Sequence, residues 1–119
     1  MPWMARLRAR HMSETPRTGH GPIKMRLCGK QGFWDRGKIQ LGDFYWRVDG
    51  EGKRMLCVLI PCPNAESGYT FSQWTIDHPN HCNAQWSWDG NEEAPTLTPS
   101  LHAVGVWHGW VKNGELIEA

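Results

Sequence analysis

From residue 22 onward no segment places apolar residues at the i, i+3, i+4, i+7 spacing that seats an amphipathic helix on a core. Short extended runs separated by turn residues fill the chain instead, and a chain patterned this way must fold by pairing strands. The first run, Lys38 to Val48, sets Ile39, Leu41, Phe44, Trp46 and Val48 in near-alternation, with a bulge expected at Gly42-Asp43. Asp49-Gly50-Glu51-Gly52 supplies a tight connection, and Arg54 to Ile60 returns as the second strand of a hairpin, apolar enough to be buried on both faces. Pro61 and Pro63 end it, because proline cannot donate to a ladder. Tyr69 to Ile76 and Ala84 to Trp88 read as further strands. Leu97 to Val106 is extended but broken at Pro99, and Val106–Val111 and Glu115–Glu118 close on the Asn113-Gly114 turn.

The expected fold is mostly β: one small antiparallel domain over residues 22–119, a sandwich or a partly open barrel, behind a flexible basic arm of residues 1–21. With 119 residues there is room for one domain, and eight tryptophans supply much of its bulk. Trp46, Trp74, Trp86, Trp88 and Trp110 suffice for a compact core, with Trp74 meeting the Trp86 and Trp88 side of the neighbouring strand. The first thirty residues carry seven basic side chains against Glu14 alone, so the rest of the chain is net acidic. That balance argues against nucleic acid except through the arm. His11-Met12 reads as an upstream junction, with Met12 as the natural start. No run approaches the ~18 apolar residues of a membrane helix, and no signal peptide is recognisable, so a soluble, cytoplasmic protein with no membrane partner is expected. Cys28, Cys57, Cys62 and Cys82 form no Cys-x-x-Cys pair and are expected as free thiols, Cys57 as a small core hydrophobe.

The segments WSWDGNEEAPTLTPSL (Trp86 to Leu101) and WHGWVKNGEL (Trp107 to Leu116) carry a resemblance. An aromatic-x-aromatic-Asp-Gly turn (Trp86, Trp88, Asp89, Gly90) precedes Pro95-Thr96, Pro99-Ser100 and a His108-x-Trp110 strand running into Asn113-Gly114. In this pattern the chain resembles a family of small bacterial and bacteriophage proteins of unknown function, some of them labelled ammonia monooxygenase. The resemblance implies a phage-type accessory protein. Many members look like zinc proteins, with an early cysteine pair and a Cys-His dipeptide. Here Trp107 precedes His108, the early pair is missing, and the chain stops without a histidine-bearing tail.

Three functional readings compete. A protein- or small-molecule-binding surface formed by Trp107, His108, His102, Asp89 and Trp34 is preferred, with no cofactor and with enzymatic activity the less expected outcome. The alternative is zinc held by Cys62, His78, His81 and Cys82, serving a metal-dependent hydrolase that also uses His108; three of these ligand types sit in one loop. In the third, His108 and His102 beside Asp89, Glu92 or Glu93 do acid–base work, with Ser100 cast as nucleophile. No nucleophile-elbow glycine pattern surrounds that serine, so no catalytic residue is assigned.

Overall fold

A computed structural model describes residues 15–119 of the chain. Ten short strands run in order: β1 (Ile23–Lys24), β2 (Arg26–Leu27), β3 (Asp43–Val48), β4 (Arg54–Pro61), β5 (Tyr69–Thr75), β6 (Ser87–Trp88), β7 (Leu97–Thr98), β8 (Leu101–Ala103), β9 (Trp107–Lys112) and β10 (Glu115–Glu118). A single 3₁₀ turn, Phe33–Arg36, is the only helical element among the described residues. No helix there is long and apolar enough to cross a membrane. The expected basic arm falls for the most part, over residues 1–14, outside the described residues.

The strands form two four-stranded sheets, β1-β10-β9-β8 and β2-β3-β4-β5, and a small ribbon, β6-β7. All pairs are antiparallel except β2 with β3, which is parallel. The sheets do not close into a barrel; they share one core. Phe44, Leu56, Val58, Ile60 and Trp74 of the second sheet belong to one cluster with Leu101, Trp107, Val111 and Leu116 of the first, together with Leu97 and Trp86. Each large side chain so buried stabilises the fold by ~1.5–3 kcal/mol.

Strand alternation decides which tryptophans enter that core. Trp74 and Trp86 are buried and meet edge to face at 5.0 Å between centroids. Trp46 and Trp88 pack on the rim against each other, 4.5 Å apart. Trp110 is a correction: it keeps 42% of its surface exposed. Successive residues on β9 point to opposite faces, so with Trp107 and Val111 inside, His108 and Trp110 must lie outside.

The expected bulge at Gly42-Asp43 is also corrected. The strand begins at Asp43, and Lys38–Leu41 remains irregular. Asp43 is fully buried and accepts two hydrogen bonds from the Arg26 guanidinium, Nε to Oδ1 at 2.6 Å and an NH2 group to Oδ2 at 2.9 Å, while the Gln40 backbone N–H donates to Oδ2 at 2.9 Å. This carboxylate locks β2 beside β3 and ends the preceding loop. A buried charge is tolerated there because it is paired and hydrogen-bonded. All four cysteines are free, and Cys28 and Cys57 are buried.

Residues 15–19 lie against the first sheet. Glu118, whose side chain is only 6% exposed, accepts from the backbone N–H groups of Thr18 (2.9 Å) and Gly19 (3.2 Å) and from the Thr18 hydroxyl, with Arg17 3.6 Å away. Burial pushes the Glu118 carboxyl up, but these donors and the Arg17 charge outweigh it and hold it below its ordinary value. A depressed carboxyl contributes stability that is present above the unfolded value, about 4.5, and is lost as pH falls through the folded one. Urea midpoints of wild type should therefore drop more between pH 6 and pH 3 than those of Glu118→Gln; parallel drops would show that the grip of Glu118 on residues 17–19 contributes nothing.

Candidate active site

The outer face of the β8–β9 hairpin gathers the polar residues of interest. Its register pairs Leu101 with Gly109, His102 with His108 and Ala103 with Trp107. Leu101 is buried, so its neighbours Ser100 and His102 project to the opposite side, where His108 and Trp110 also lie. The turn at Val104-Gly105-Val106, with Gly105 at φ 78°, brings the two strands together.

On that face Ser100 Oγ is 2.9 Å from His108 Nε2. The His102 ring stacks on the His108 ring, 4.4 Å between centroids and 29° between planes. His102 is in turn hydrogen-bonded through Nε2 to the Thr15 hydroxyl at 2.6 Å, and that hydroxyl accepts the Gly105 backbone N–H at 3.0 Å. The Ser100 carbonyl accepts the indole N–H of buried Trp86 at 3.1 Å, which fixes the serine backbone from the core side. Among the described residues no carboxylate hydrogen-bonds to His108. The arrangement is a serine–imidazole pair backed by a second, stacked imidazole. Such a pair can pass a proton from the hydroxyl to the ring nitrogen when Nε2 is the unprotonated one, as nucleophilic catalysis requires.

The residues expected from sequence divide accordingly. His108 and His102 come together, and Ser100, to which the sequence pattern assigns no catalytic role, joins them. Trp107 does not: it is 1% exposed, with its indole N–H buried and without a partner among the described residues, because a neighbour of an outward-facing strand residue must face inward. Asp89 is a turn residue, its Oδ1 accepting the backbone N–H of Asn91 (3.1 Å) and of Thr96 (3.2 Å). Trp34 is 89% exposed but lines a separate cavity with Phe33, Ile39 and Tyr45, to which neither β8 nor β9 contributes. Glu92 presents its backbone carbonyl to Trp46 Nε1 at 3.0 Å.

The zinc set is not assembled. Among the described residues no three His, Cys, Asp or Glu side chains gather as metal ligands. Asn80 organises the loop instead, its Oδ1 accepting the N–H groups of Cys82 and Ala84, each at 2.9 Å. Cys82 points into solvent, and Cys62 is half-buried at the end of β4.

The model of a family described as bacterial ubiquitination-like system serine protease, BubE, matches residues 33–119, most of the chain. No curated protein and no solved structure matches it. The family match overturns the resemblance to a phage family of unknown function, and with it the reading of the chain as a phage-type accessory binding module. The segments that carried that resemblance lie inside the matched region, and their residues have other work. Trp86 and Trp107 build the core, Asp89 and Asn113 make turns, and Ser100 and His108 form the pair.

Proposed function

This chain belongs to the BubE family of bacterial ubiquitination-like system serine proteases, and on that premise we propose that it cleaves amide bonds with Ser100 as nucleophile and His108 as general base. The 2.9 Å contact between Ser100 Oγ and His108 Nε2 carries the reading. It is within the reach a base needs to take the hydroxyl proton.

The chemistry follows from the pair. As Ser100 Oγ bonds to the substrate carbonyl carbon, its proton passes to His108 Nε2. The tetrahedral intermediate collapses by breaking the C–N bond, and the same proton leaves on the departing amine. Water then attacks the acyl-serine, giving a proton to His108 and releasing the carboxylic acid as Ser100 recovers its hydrogen. In both halves His108 becomes cationic for part of the cycle. The stacked ring of His102 stabilises that cation, since a cation over a π-face gains about 0.5–2 kcal/mol. Thr15 holds the His102 ring in place. His102 and Thr15 are positioning residues, and Trp86 positions Ser100 through its carbonyl. The substrate is a polypeptide of a bacterial ubiquitination-like system.

A fluorophosphonate probe tests the assignment. It should add one phosphonyl group per chain, located by peptide mass spectrometry on Ser100 and absent from Ser100→Ala. Modification at Ser72 or Ser87 in its place, or none at all in folded protein, overturns it.

A further inference from the structure

A groove of about 380 Å³ has Thr96, Thr98, Trp110, Lys112 and Ile117 among its walls, and Trp110, whose ring lies 6.1 Å from that of His108, links it to the Ser100–His108 pair. Its position relative to the reacting atoms gives it a direction. Along the hairpin His102 stands opposite His108 and Leu101 opposite Gly109, and β7, which precedes Ser100 in the chain, packs against β9, so the groove walls Thr98, Trp110 and Lys112 lie beyond Ser100 and Gly109. The groove therefore opens on the side of Ser100 away from His108.

Acyl transfer assigns the two sides of a nucleophilic serine different parts of the substrate. The imidazole that took the serine proton must hand it to the leaving amine, so the leaving group lies on the imidazole side. The acyl portion extends the other way, which here is into the groove. Resting on the catalytic reading above, we infer that this groove is the subsite for the segment on the acyl side of the scissile bond, and that it selects an apolar side chain there.

The wall chemistry sets that preference. Trp110 and Ile117 are register partners on adjacent strands, and they present an indole face and a branched alkyl group to the same space. The Thr96 hydroxyl at the far end is already engaged, accepting the Asn113 N–H at 2.9 Å and contacting Asn113 Oδ1 at 3.3 Å. Trp110, left 42% exposed, gains cover when an apolar side chain enters. A volume of this order matches the lower end of small-ligand pockets and admits a short extended stretch of peptide.

The test compares p-nitrophenyl esters of N-acetylleucine and N-acetylglycine, which share a leaving group and differ only on the acyl side. Wild-type kcat/KM should favour the leucyl ester at least 10-fold beyond the ratio of the uncatalysed hydrolyses, the order expected for seating an apolar side chain in a pocket. Trp110→Ala and, separately, Ile117→Ser should each reduce that preference at least 5-fold, with melting curves confirming that the variants fold. A wild-type ratio equal to the uncatalysed one, or a preference that survives both substitutions, overturns the subsite while leaving Ser100 as nucleophile. Hydrolysis that is no faster in wild type than in Ser100→Ala removes the catalytic reading and the subsite together.

Discussion

His108→Ala is expected to lower Ser100-dependent ester hydrolysis by about 10³-fold or more while the protein stays folded. The magnitude follows from what the serine loses. An unassisted hydroxyl is a weak nucleophile at neutral pH, and general acid–base help alone contributes ~10²–10⁴-fold, with His108 supplying it at both bond-breaking steps. Folding should survive because His108 faces outward and is half-buried; its side-chain neighbours are Ser100, His102 and Trp110, all on the outer face. His102→Ala should cost far less, about 10-fold, since stacking contributes only ~0.5–2 kcal/mol to a transient cation. The ranking discriminates between two accounts. If His102→Ala costs as much as His108→Ala, the two rings act as one proton relay. If His108→Ala melts the protein, the ring is structural and the acid–base account fails. Rates would be read with p-nitrophenyl acetate beside circular dichroism melting curves.

Gly109→Ala carries the second large effect, and it falls on stability. Gly109 sits on the inward face of β9 between Trp107 and Val111, directly opposite Leu101 and Glu118 on the flanking strands. A Cβ there collides with the far edge of the Trp107 indole and with the Ile117 backbone carbonyl. Neither obstacle yields cheaply: Trp107 is among the largest fully buried side chains, and the carbonyl belongs to the strand paired with β9. Overpacking of this kind costs roughly 1–3 kcal/mol or more. A domain of this size loses about 4–8 °C of melting temperature per kcal/mol, so a fall on the order of 10 °C is expected. In a Trp107→Leu background, itself destabilised, Gly109→Ala should cost less than it does in wild type, because the indole's space is free. A variant melting within 2 °C of wild type would show that β9 accommodates the methyl group and that the close packing of Trp107 is not required.

The sheet was legible because its signal is local. Alternation through Phe44 and Trp46, the apolar run from Leu56 to Ile60 and the Asn113-Gly114 turn each act within a few residues, and each appears as β3, β4 and the β9–β10 hairpin. β1 and β2 have only two residues each and are held by partners distant in sequence, Leu116 and Asp43 among them, so no periodicity could mark them. Asp43 looked like a bulge because a buried carboxylate in a strand makes sense only once Arg26 is known to face it.

The site was half legible for a related reason. His108, His102 and Ser100 each stand out in the sequence, but the stretch from Leu97 to Val106 reads as extended with its one break at Pro99. The turn at Gly105 folds it back, and that fold places His102 opposite His108 with Ser100 alongside. The elbow pattern does not apply, since it describes a strand-to-helix turn and this serine stands between β7 and β8. Pairing Trp107 with His108 at one groove conflicted with strand alternation itself. A period of two on β9, applied strictly, separates them and selects Trp110 as the aromatic beside the histidine. The histidine–cysteine loop sets ligand types close together in sequence, whereas metal ligation requires their convergence in space.

The central claim is that Ser100 becomes acylated with His108 as its base. Acid quenching of wild-type protein within the first turnovers of p-nitrophenyl acetate, followed by peptide mass spectrometry, reads this directly. One acetyl group on the peptide containing Ser100, gone in Ser100→Ala and strongly slowed in His108→Ala, is the result the account predicts. An acetyl group carried only by lysine or histidine side chains, formed equally fast in the Ser100→Ala protein, would contradict it.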